Sequence, residues 1–348
     1  MIVLLFIIFL LFSLIAIFPP KEDTNKYVLF LVLGIILFLI SGFRPEEGNP
    51  DYGVYQKLYE DAKTWDAVVE PSYTFISQLV YLLFNNVLYL FVIYAFLGVY
   101  LKLTAIKQLT DLGFLSLVAY VSYFFILHEV IQIRVGVACG FFLLCIKPIY
   151  ERNLKLFLLL VLLATFFHVS SLIILPLWFL GKFKDIKKAN TYFLVFVIPI
   201  AYSIYFLKMT VLSFIPIPYV KDKLDLYAQL QELEIAEFLT DINVFNFVFL
   251  AKIIIYYFLV YKSKFLMSHN KYTVLLLNIY AISLFMYPAL AAMPVMASRV
   301  SEFLGVVEII LIPLVYYVFR PRYVGTLIVL VWSFGILMVN LFKSKLLG

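Results

Sequence analysis

Apolar runs of membrane-spanning or near-spanning length recur along the whole chain, and that recurrence decides the fold class. They lie at about 1–18, 27–42, 87–101, 113–127, 133–147, 154–168, 170–181, 191–207, 244–260, 272–288, 303–319 and 323–341. A helix needs ~20 apolar residues to cross a bilayer, with ~17 as a usual minimum. Only helices and closed barrels satisfy their backbone groups in lipid. The pattern therefore predicts an all-α polytopic membrane protein of about 12 transmembrane or partly embedded helices, forming a single integral domain over 1–348. With 65% hydrophobic and 14% charged residues, the chain does not read as a soluble enzyme on one anchor, because soluble domains are only about 45–50% apolar. The first run lacks a basic lead and a small-residue cleavage site, so it reads as a retained helix. The runs 154–168 and 170–181 are short, and they predict a hairpin whose tip, near His168, stops in a protein cavity.

Loop charges orient such a chain. Lys21 and Lys26, Lys102 and Lys107, and Lys147, Arg152 and Lys155 fall on one side. Lys182 to Lys188, Lys262 to Lys271, and Arg320 with Arg322 join them, and this side reads as cytoplasmic. The formal charge of +6 thus speaks for topology and against nucleic-acid binding. The long loops 43–70 and 208–243 are acid-rich and fall outside. This alternation requires that 71–86 does not cross. Ser72, Thr74, Ser77, Gln78, Asn85 and Asn86 make it too polar for lipid. It reads as a re-entrant or surface helix opened by Glu70 and Pro71, which extends the first extracytoplasmic stretch to 43–86. A second outer-face helix, amphipathic, is expected over 219–240, with Val220, Leu224, Tyr227 and Leu230 at helical spacing. Both ends of the chain come out extracytoplasmic, and Lys343 and Lys345 go against the rule.

Charge beside hydrocarbon is costly and usually lines a cavity or handles a substrate. Arg44 closes the second run, and Asp51, Tyr52 and Tyr55 follow it. Arg44 fits a snorkelling interface residue or a phosphate-binding fork beside a carboxylate base. Glu70 fits a helix cap or a carboxylate that takes a proton from a sugar hydroxyl. His128, Glu129, Gln132 and Arg134 fall within seven residues, and His128 and Gln132 share a face if the stretch is helical. His168, Ser170 and Ser171 mark the hairpin tip, where interhelical hydrogen bonding competes with a role as base or hydroxyl-orienting group. Arg299 and Glu302 are spaced to pair with each other. Lys252 and Glu308 lie at similar depth, by the ~1.5 Å rise per residue, and are expected to pair. Cys139 and Cys145 lie on different faces of one helix, and three scattered histidines make no metal site. No P-loop and no hydrolase elbow is present. No metal or cofactor is expected.

The R-x6-D-x3-Y run Arg44–Asp51–Tyr55, the E-P-x-Y segment Glu70–Tyr73, the Q-x-R element Gln132–Arg134 and the F-H-x-S element Phe167–Ser170 together resemble the EpsG family of bacterial exopolysaccharide and capsule biosynthesis proteins, a Wzy-like polymerase group. The resemblance covers roughly residues 27–185. Ser72 stands where such families often carry Gly. The resemblance implies a polymerase, with a GT-C-like membrane fold, that joins undecaprenyl-pyrophosphate-linked oligosaccharide repeat units on the extracytoplasmic face of the bacterial inner membrane. A donor already activated by pyrophosphate needs no nucleotide. Its anionic leaving group calls for Arg side chains, and the attacking hydroxyl calls for a base. The candidate bases are Asp51, Glu70 and His168. Arg44, Arg134 and Arg299 are candidates for the pyrophosphate, and Tyr55, Tyr73, His128, Gln132 and Ser170 for sugar or substrate contacts. Implied partners are the lipid-linked oligosaccharide, membrane lipid, a chain-length regulator and a flippase. The alternatives are a flippase or transporter for lipid-linked oligosaccharide, an O-antigen ligase-like transferase, and a non-catalytic assembly scaffold.

Overall fold

A computed structural model describes residues 1–63, 69–182, 188–207, 242–343 and 346–347. The amphipathic helix expected over 219–240 lies outside the described residues. Those described are helical with no strand, and each expected apolar run within them coincides with a helix. Among the described residues, five helices are long and apolar enough to cross a membrane: Asp23–Gly42 (α2), Val87–Leu109 (α5), Gly113–Ile131, Ile133–Glu151 (α7) and Arg322–Lys343. Five shorter apolar helices accompany them, among them Ile2–Ile17 (α1), Leu154–Phe167 (α8) and Val169–Lys182. This is the pattern of a multi-pass membrane protein.

The run expected at 303–319 is in fact a broken element. It begins earlier, at Pro294, and is interrupted between Gly305 and Glu308. Pro294 opens the first half, where its missing N–H costs nothing.

Contacts divide the chain into two compact units, Met1–Lys182 with Glu308–Gly348, and Phe183–Val307. Lys252 therefore belongs to the second unit and Glu308 to the first. In the first unit α5 lies between α2 and α7, and α7 also packs on α8 and on the helix Val169–Lys182. The stretch Gly113–Ile131 begins as an α-helix, Gly113–Ala119 (α6), and widens into a π-helix, Tyr120–Ile131. Nearly every side chain in it is buried, as expected of a helix that is apolar on all sides. Tyr52–Lys63 (α3) and Pro71–Leu83 (α4) pack on each other. Gln78 fastens them by donating to the carbonyls of Ala62 and Lys63 at the end of α3. With 13 residues, α4 is too short to cross, which agrees with a re-entrant or surface helix.

In the second unit Thr273–Ala289 packs on Lys188–Phe206, Phe247–Met267 and Pro294–Gly305. Pro199 lies inside Lys188–Phe206, and its missing N–H frees the carbonyl of Val195. The Tyr257 hydroxyl donates to that carbonyl at 2.9 Å, and Tyr256 donates to Leu194 at 2.7 Å. The Tyr257 phenol thus replaces the lost helical bond.

Candidate functional site

Three helix ends of the first unit meet around one carboxylate. Glu70 is the residue before α4, with extended backbone angles, and its carbonyl accepts the Tyr73 N–H at 2.9 Å. It caps the helix by position only, because its carboxylate makes no capping bond to α4. Instead Oε2 accepts from Nη1 of Arg134, in the first turn of α7. Oε1 lies 2.8 Å from Nδ1 of His168, which ends α8. The Glu70 side chain is 9% exposed, against 23% for Arg134 and 21% for His168. The charge is shielded while the partners reach solvent. Burial pushes the Glu70 carboxyl up; the His168 hydrogen bond and the Arg134 charge outweigh this and hold it down at about 2.

Aromatic rings wall this cluster. The Arg134 guanidinium lies 5.8 Å from the Tyr55 ring and 6.0 Å from the Tyr73 ring, in cation–π range. Tyr73 donates to the Tyr55 carbonyl at 2.6 Å. Its ring neighbours Tyr94, which meets Phe167 edge-on. Burial raises the Tyr55 hydroxyl, and the charges of Arg134 and Arg44 partly offset the rise. Tyr55 therefore lies within the field of both guanidiniums.

Arg44 is 4% exposed. Its Nη1 donates to the Val130 carbonyl at 2.5 Å, beside Asn49 Nδ2 at 2.9 Å, and its guanidinium lies 4.5 Å over the Phe91 ring. Nε and Nη2 are buried without a partner. Burial pushes Arg44 down to about 10, so it remains charged at neutral pH. Arg134 Nε is likewise buried and unpartnered. Buried donors of this kind are costly unless a ligand or water satisfies them.

The structure therefore joins Glu70, Arg134 and His168 directly, with Tyr55 and Tyr73 beside them and Arg44 on the Val130 carbonyl. Asp51 is half-buried at the start of α3, where its carbonyl accepts the Tyr55 N–H at 3.0 Å. Gln132 is half-buried at the break between the π-helix and α7. It does not share a helical face with His128 in the manner of an i, i+4 pair, because a π-helix closes from i to i+5 and ends at Ile131. His128 is fully buried, its Nε2 3.8 Å from Cys139 Sγ and its ring against Phe124. Ser170 is exposed. Its neighbour Ser171 is buried and donates to the Ala164 carbonyl at 3.3 Å. Arg299 is exposed on Pro294–Gly305, in the second unit.

Sequence reasoning misplaced Lys102. It is not a loop charge: it lies within α5, fully buried, and its Nζ donates to Glu129 Oε1 and, at 2.6 Å, to the Gly136 carbonyl. Tyr120 donates to the same Glu129 oxygen at 2.9 Å. The available signal was a stripe along α5, in which Phe91, Tyr94, Gly98 and Lys102 recur at three- and four-residue spacing and so share a face. Gly98 is needed there, because a Cβ would fall 1.8 Å from Glu129 Oε2. Asn49 was also missed, and it carries no signal beyond its place in a polar loop.

A model of the EpsG family matches residues 27–347. The chain belongs to the EpsG family. That family is associated with exopolysaccharide biosynthesis. The match runs well past residue 185, so the second half of the chain shares the EpsG pattern and not merely its helical character. No curated protein and no solved structure matches the chain.

Proposed function

We propose that this EpsG-family protein is a polysaccharide polymerase of the bacterial inner membrane, with a GT-C-like architecture. It would join undecaprenyl-pyrophosphate-linked oligosaccharide repeat units at the extracytoplasmic face. The observation that carries the reading is the Glu70 carboxylate, which bridges a guanidinium and an imidazole at the edge of an aromatic-walled site.

In the reaction, a hydroxyl of the incoming unit attacks the anomeric carbon of the growing chain. The bond from that carbon to the phosphate oxygen breaks, and the lipid pyrophosphate leaves with the electron pair. The hydroxyl proton goes to the base. Of Asp51, Glu70 and His168, His168 suits that role best. Glu70, held at about 2, is too weak a base at neutral pH. It is suited instead to accept the Nδ1–H of His168, which leaves the lone pair of Nε2 for the substrate, a carboxylate–imidazole arrangement familiar from other enzymes. Arg134 and Arg44 each keep unpartnered N–H groups, which match the oxygens of a diphosphate. The surrounding tyrosines and phenylalanines exclude water and strengthen those contacts.

The test is purified protein in detergent with synthetic lipid-linked repeat units. Longer glycan together with free undecaprenyl pyrophosphate supports the proposal. Movement of the lipid across a vesicle bilayer without bond formation indicates a flippase and overturns it, and so does no change in the glycan.

A further inference from the structure

Arg134 sits on a discontinuity. The π-helix ends at Ile131, Gln132 takes non-helical angles, and α7 starts at once with Arg134 in its first turn. A helix end leaves its last carbonyls unpaired, and such a break has no regular ladder to fix its angle. Here it is gripped from two sides. Arg44 and Asn49 both donate to the Val130 carbonyl. From the opposite flank of the sequence break, Lys102 binds Glu129 before it and the Gly136 carbonyl after it. One ammonium thus spans the stretch from Glu129 to Gly136, which contains Arg134. Tyr120 fixes the far side of the same carboxylate oxygen. Gly98 and Gly136 are the residues that let the three helices approach, since a Cβ at Gly136 would fall 2.4 Å from the His128 carbonyl. Lys102 and Glu129 are essentially inaccessible, at 0% and 1% exposure, so they touch no substrate.

Building a buried ion pair is a poor way to gain stability, because desolvation consumes most of the attraction, whereas a defined registry is its best-attested use. We infer that Lys102 and Glu129 are positioning residues that set the angle between the π-helix and α7 and thereby aim Arg134 at Glu70 and the pyrophosphate. This rests on the polymerase reading above and extends it to a pair outside the site.

Lys102→Met alone strands a buried carboxylate and would not separate misfolding from mispositioning. The informative variant is Lys102→Met with Glu129→Gln, which removes both charges and keeps an acceptor for Tyr120. We expect this neutral pair to reach wild-type levels in the membrane, to leave KM close to wild type and to lose about 10²-fold in kcat, the scale set by a misplacement of about 1 Å. The deciding readout is a cycle with Arg134→Lys. If the pair acts through Arg134, its loss shrinks to a few-fold in the Arg134→Lys background. A purely structural role gives the same loss in both backgrounds. The cycle is read a second time on binding of undecaprenyl pyrophosphate alone, which needs no bond formation. Additive losses in an active protein overturn this inference and leave the polymerase reading standing. A wild-type protein that neither polymerises nor binds the lipid pyrophosphate overturns the polymerase reading, and this inference with it.

Discussion

Glu70→Gln isolates the charge on which the cluster turns. The ordinary value for this carboxyl is 4.5, and in the folded protein it is held at about 2. At about 1.4 kcal/mol per pKa unit, the ionised form contributes about 3 kcal/mol to folding. The side chain is 9% exposed, so solvent screening removes little of this. The folded value is depressed, so the contribution is complete above pH 4.5 and drains away as pH falls through about 2. The assay is the unfolding free energy in detergent, followed from about pH 7 to about pH 2 for the wild type and Glu70→Gln. Other carboxylates titrate in both proteins and cancel in the difference. The wild type should exceed the variant by a constant margin above about pH 5, and the margin should narrow by about 3 kcal/mol at the acid end. Parallel curves over the whole range would show that Glu70 carries no stabilising charge in the cluster, and the assignment of His168 as base would fall with it.

His168→Ala should cut polymer formation by about 10²–10⁴-fold, the usual contribution of a general base, with the protein still present in the membrane; near-normal kcat would remove His168 from that role and turn it to Asp51. Arg44→Lys keeps the charge and loses the planar fork, so binding of undecaprenyl pyrophosphate, measured by calorimetry, should weaken about ten-fold. Gly136→Ala forces a Cβ toward a backbone oxygen at 2.4 Å, and thermal unfolding should show a loss of about 1–3 kcal/mol. Tyr73→Phe removes the 2.6 Å bond to the Tyr55 carbonyl and should cost about 1 kcal/mol in the same assay.

The helices were legible because hydrocarbon length imposes a pattern that composition cannot hide. The break after Gly305 was not, because Val306 and Val307 are as apolar as their neighbours and nothing in their side chains marks an interruption. The polar residues of the site were legible one at a time, since each sits at the end of an apolar run. Their partnerships were not: Glu70 meets Arg134 across 64 residues of sequence and His168 across 98, and no local periodicity encodes such a pairing. Lys102 shows the opposite failure. One residue past its apolar run it looked like a loop charge, whereas burial beside Glu129 was specified by Gly98 and by a residue 27 positions away. Lys107, exposed in the last turn of α5, still marks that end of the helix as basic.

Val169–Lys182 is a 3-10 helix of 14 residues, packed beside the 14-residue α8. At ~2.0 Å per residue the tighter coil reaches ~28 Å, while its α-helical partner reaches ~21 Å. Hydropathy windows count residues, but a bilayer is measured in ångströms. By stretching its backbone, the second arm of the hairpin nearly matches the ~30 Å thickness of the hydrocarbon layer with a segment that residue counting would dismiss as too short.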